Sequence, residues 1–184
     1  MSFSFRDAAK TKGGGNGRKP FIEAGIEAEL MCSLAKLIEK GFKGTSYVFE
    51  FKVMSAKAIE NGVTAPPPGA ERVYIVNLDD PKYGLANLMS VAEAMNGGDG
   101  MPGLSDAQVK EMKDAGKTDK AIEDADLDKK EAALSQLLGE AQGVLIRVST
   151  RGVKTAKGED FTAIDWKPVA GQTIESVRAN RATI

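Results

Sequence analysis

The residues best suited to chemistry lie in one stretch, "STRGVKTAKGEDFTAIDWKP" at residues 149–168, where Arg151, Lys154 and Lys157 precede Phe161 and Trp166. Cations neutralise phosphates and aromatic faces stack on planar rings, so this combination suits a polyanion that carries flat bases. A second basic, glycine-containing stretch, "EKGFKG" at residues 39–44, adds Lys40, Phe42 and Lys43. Tyr47, Arg72, Tyr74 and Arg147 complete the candidates, each inside an apolar run. Phe42, at a turn tip, is the least core-like aromatic. Trp166 suits core and surface equally, whereas Phe49 and Phe51 read as core.

Other chemistries are poorly served. The chain has no histidine, which removes the commonest general base and the commonest metal ligand, and with them His-based triads and Cys/His zinc sites. Its one cysteine, Cys32, sits among alternating apolar residues and reads as a buried core side chain. Asp79, Asp80 and the run "EDADLD" offer oxygen ligands. A calcium loop counted from Asp124 fails, because it lacks the mid-loop glycine and carries Ser135 at its twelfth position. "GGGNG" precedes any strand and so is no phosphate loop. No catalytic residue, metal or cofactor is expected, and an enzyme built on Asp79 and Asp80 ranks last.

A net charge of -1 conceals an uneven distribution. Residues 98–131 hold ten acids against six lysines, while the first 19 residues hold five bases and one acid. This asymmetry predicts a basic surface offset by an acidic lobe. With sparse apolar residues, that lobe is expected to contribute little to the core.

These residues need elements to position them. Residues 1–20 are Gly-rich, basic and aperiodic, and read as a flexible arm. "GIEAELMCSL" and "TSYVFEFKVM" alternate with period two and predict a long hairpin turning at "GFKG". "ERVYIVNLDD" is a third strand. A helix starting at Asp79-Asp80-Pro81 carries Leu85, Leu88, Met89, Ala92 and Met95, and two more helical pieces follow within an insertion at about 81–141. "GVLIRVSTRGVKTAKGEDFTAIDW" is a second hairpin, and residues 171–184 read as a tail. Three strands, a helical segment and two strands predict a mainly β chain with helices (α+β), a five-stranded OB-fold Greek-key barrel over residues 21–170. An open α+β sheet is the rival. In an OB-fold the loops joining strands one to two and four to five flank a nucleic-acid groove, and here both are basic.

The frames "FIEAGIEAEL", "TSYVFEFKV", "ERVYIVNLDDPKYGLANL" and "KGEDFTAIDWKP" resemble phage-encoded single-stranded DNA-binding proteins of the OB-fold class over residues 21–168. Asn77 to Leu85 and the ending Gly158, Phe161, Thr162, Trp166 and Pro168 carry most of the likeness. The resemblance implies sequence-independent binding that protects single-stranded intermediates during phage DNA replication or recombination. It implies single-stranded DNA as partner, replication or recombination proteins beside it, and a cytoplasmic place in the host cell; a homo-oligomer is compatible. Many such proteins end in an acidic tail that recruits partners, but this chain ends in the basic "VRANRATI", so tail-mediated partner binding is expected only if the acidic residues 119–131 substitute for it. The alternative is a phage structural or assembly protein with a β-barrel body and no nucleic-acid binding. The chain has no apolar run of membrane-spanning length and no signal-peptide block, so no membrane partner is expected.

Overall fold

The computed structural model describes residues 19–41, 44–80, 82–154, 158 and 160–181; Phe42, Lys43, Lys157 and the side chain of Lys40 lie outside them. Five strands, β1 (Ile26–Gly41), β2 (Gly44–Ala58), β3 (Glu71–Asn77), β4 (Leu145–Lys154) and β5 (Asp160–Pro168), form one antiparallel sheet in the order β3-β2-β1-β4-β5. Among the described residues four helices accompany it: α1 (Gly84–Met95), α2 (Asp106–Asp114), α3 (Asp119–Gly139) and α4 (Ile174–Arg181). The architecture is therefore α+β. Among the described residues no helix is long and apolar enough to cross a membrane.

The expected closed barrel is not formed. The sheet is open, with β3 and β5 as its edges. Part of the β3 edge is already occupied, because Phe21 pairs with Val73 in parallel and the Val73 N–H donates to the Pro20 carbonyl. The sheet nevertheless curls on itself, for the rings of Tyr74 on β3 and Trp166 on β5 lie 4.9 Å apart. Alternation puts Ile26, Leu30, Cys32, Phe49, Phe51, Val53, Val76, Ile146 and Val148 on the inner face, where they form the core with Leu88, Val91, Ala92 and Met95 of α1.

β1 runs to Gly41, well past the apolar run that announces it. The added residues bury little and persist because Ala35, Lys36, Leu37 and Ile38 each pair with β2. α1 starts later than expected. Asp80 accepts the N–H groups of Lys82 and Tyr83, closing a turn, and the helix begins at Gly84. Glycine is needed there because a Cβ would fall 2.5 Å from the Asn77 carbonyl oxygen.

The acidic lobe is an ordered pair of helices rather than a bystander. Ser105 and Gln108 form a capping box on α2, and the Leu104 N–H donates to Asp126 of α3 at 2.6 Å. Met101 is buried in the core, as are Leu134 and Leu138 at the far end of α3. The tail expected at 171–184 instead contains α4, capped by reciprocal bonds between Thr173 and Ser176, with Ile174 buried.

One hydroxyl ties the start of the sheet to its other half. Buried Thr150 Oγ1 accepts the Ile26 N–H at 3.0 Å and donates to the Glu23 carbonyl at 2.7 Å. Thr150→Val should lower stability by about 1–3 kcal/mol in urea titrations by stranding those groups, and Thr150→Ser should restore most of it. Burial pushes the Cys32 thiol up to about 12. Cys32 should therefore resist thiol reagents at about pH 8 until the protein unfolds; prompt labelling of native protein would contradict its placement.

Candidate nucleic-acid interface

The register of β4 with β5 is unbroken from Ile146↔Pro168 to Lys154↔Asp160. Since successive side chains alternate faces, this one fact sorts the candidates. Ile146, Val148 and Thr150 point inward, and so does Trp166, which pairs with Val148. Arg147, Arg151 and Val153 point outward with Phe161. Phe161 and Trp166 thus lie on opposite faces and cannot form one stacking platform.

Trp166 belongs to an inner aromatic column. Its ring lies 5.8 Å from Phe51 and 4.9 Å from Tyr74, which is in turn 6.4 Å from Phe49. Burial pushes the Tyr74 phenol up, opposed by its hydrogen bond with Trp166. Tyr47 is buried and stacks on Phe49 at 5.4 Å. Tyr47 thus belongs to the core, while Tyr74 and Trp166 are partly buried and pack against it. Arg72 is held inward as well: it is only 9% exposed, its Nε lies 2.8 and 2.9 Å from the two Glu23 carboxylate oxygens, and its Nη1 donates to the Glu71 carbonyl.

The outward candidates form a surface. β1 pairs with β4 only as far as Glu27↔Ser149, so beyond Thr150 the β4–β5 hairpin projects as a two-stranded ribbon. On it Phe161 is 53% exposed, beside its cross-strand partner Val153. Arg151 and Lys154 are exposed on the same ribbon, and neither joins an ion pair with another described residue. Ladder pairing continues the outer face as rungs: Val153 with Phe161, Arg151 with Ala163, then Lys57, Glu27, Ser149 and Asp165, then Ser55, Glu29, Arg147 and Lys167. Successive rungs are about 7 Å apart.

Lys57 and Lys167 were not among the sequence candidates. Only ladder pairing brings them beside Arg147, and the period-two pattern carries no signal of which strands become neighbours. The cations of the inner rungs are paired: Lys57 with Glu27 at 2.7 Å, Arg147 with Glu29 at 3.4 Å and Lys167 with Asp165 at 3.0 Å. The hydrogen-bonded Lys57 ammonium holds the Glu27 carboxyl below its usual range, with Lys167 adding to the effect.

The two basic hairpins do not flank one groove. The β1–β2 turn lies past Gly41, while the β4–β5 ribbon projects beyond the opposite end of β1, up to about 45 Å of strand contour away. Near the turn end Leu37 and Ile75 are 44% and 41% exposed. Asp79 and Asp80 act as structural ties, the former accepting the Thr45 N–H at 3.1 Å. Among the described residues no three acidic or cysteine side chains converge as metal ligands. No protein-family model matches the chain, and no curated protein matches its sequence.

The face assignment is testable by stability alone. Trp166→Ala should cost about 3 kcal/mol in chemical denaturation because it opens the inner column, whereas Phe161→Ala should shift stability by less than about 0.5 kcal/mol. Equal costs would contradict the opposite-face placement.

Proposed function

We propose that the chain is a non-catalytic protein that binds single-stranded DNA with little sequence preference, protecting intermediates of phage replication or recombination in the host cytoplasm. The observation that carries this reading is the β4–β5 ribbon, where exposed Phe161 and Arg151 share the outer face and Lys154 lies on the other side of the same ribbon, the two cations joining no ion pair with another described residue. Aromatic stacking contributes about 1–3 kcal/mol per base whatever its identity, and unpaired cations neutralise phosphate without reading sequence. The resemblance of residues 21–168 to phage single-stranded DNA-binding proteins supports the same conclusion. So does the strand order, with helices between β3 and β4, which we read as an opened relative of the OB-fold.

A phage structural or assembly protein is the second reading, favoured by exposed Ile38 and Ile75, which share the outer face at the other end of the sheet. Fluorescence anisotropy with labelled oligo-dT across a salt series separates the two. The nucleic-acid reading expects log K to fall linearly with log salt, with a slope near -0.7 per phosphate neutralised. Arg151→Ala/Lys154→Ala should flatten the slope by up to about 1.4, and Phe161→Ala should weaken binding by about 1–3 kcal/mol with the slope unchanged. Absence of binding by the native chain at low salt would overturn the proposal and favour assembly.

A further inference from the structure

The ribbon is not the only cationic part of the outer face. A shallow groove of about 460 Å³ crosses β2, β1, β4 and β5 and is lined by Lys57, Arg147 and Lys167 together with Glu27 and Glu29. We infer, resting on the single-stranded DNA reading above, that this groove continues the phosphate track from the ribbon, and that Glu27, Glu29 and Asp165 are built-in competitors for its cations.

Three observations lead there. First, the unbroken β4–β5 register aligns the groove with Phe161 and Arg151 on one face, so a strand leaving the ribbon meets Arg147 and Lys167 two rungs further on. Second, the groove cations are open to solvent: the side chains of Lys57, Arg147 and Lys167 are 71, 63 and 60% exposed. Ion pairs so exposed contribute about 0–1 kcal/mol, so a phosphate can replace the carboxylate at little cost. Third, each groove cation has one carboxylate, while Arg151 on the ribbon has none among the described residues.

A cation paired with a carboxylate yields only part of the counterion release when a phosphate takes its place, because the displaced carboxylate stays beside the backbone and repels it. The ribbon then anchors the strand, and the groove adds contact length while limiting affinity. Such a coat holds DNA and still yields it to a polymerase or an annealing partner strand. The surface specifies a partner with regularly spaced phosphates and needs no base-reading contacts.

The test is oligo-dT binding across a salt series by Glu27→Gln/Glu29→Gln/Asp165→Asn, with Glu123→Gln/Asp124→Asn on exposed α3 as a charge control. The groove variant should bind more tightly and steepen the salt slope by up to about 2, three freed cations at about 0.7 each. The control should match the native chain, and all variants should melt normally because the cations of the pairs are exposed. Arg147→Gln/Lys167→Gln should weaken binding and flatten the slope. Should the ribbon variant lose binding while both groove variants behave as native, the groove lies outside the site and only this inference falls. Equal tightening by the α3 control would replace it with a net-charge effect. If the native chain binds no DNA, the functional reading fails and the inference with it.

Discussion

The inner aromatic column is the constraint from which the rest of the structure follows. Phe49, Phe51, Tyr74 and Trp166 come from β2, β3 and β5, and their mutual contacts hold an open sheet in a curl that no β3–β5 ladder enforces. Burying large rings stabilises through area and through edge and face contacts, both of which require the edge strands to approach. Once the inner face is filled by these rings and by α1, the strands have only their outer face and overhanging ends for partners. The division of labour between Trp166 and Phe161 is a consequence of that filling.

Much of this was legible from alternation. Five strands, their order in the chain and the helical segment before β4 follow from period-two and helical patterns, and the core residues follow from the same periods. Face assignment along β5 was legible too, since positions 161 and 166 differ by an odd number, but aromatic character alone does not distinguish platform from core. Arg72 misleads for a related reason. A cation in an apolar strand suggests a surface contact, whereas Glu23, 49 positions away in sequence, neutralises it in the fold. Barrel closure was not legible because the β3 edge is occupied by residues 20 and 21, which lie in the segment that composition marks as an arm ending. The hidden cations Lys57 and Lys167 become visible only when strand neighbours are known.

The acidic lobe shows how charge can mask structure. Its acids and lysines are solvated, yet Met101 and the Leu134–Leu138 turn reach the core, so a segment that composition marks as peripheral is stitched in at both ends. Between those points the lobe holds itself by short-range polar contacts, such as the Ser105–Gln108 box and the Asp126 bond to Leu104. Such contacts form without a large apolar face, which is why hydrophobic patterning undervalues the region.

The titration behaviour of the fold has a consequence for how the protein can be controlled. The chain contains no histidine, and among the described residues the carboxyls whose range the fold moves, Glu27 and Asp126, move downward, while Cys32, Tyr47, Tyr74, Lys19 and Lys82 move upward. Lowered carboxyls stabilise the fold above their ordinary range, an effect lost only on acidification through the folded value. Raised groups stabilise below their ordinary range and lose that effect only in alkali. Both windows lie away from about pH 6–8, so these shifted groups give proton uptake no lever in that interval. Dissolved ions screen its exposed charge pairs, so ionic strength is a variable to which this surface responds.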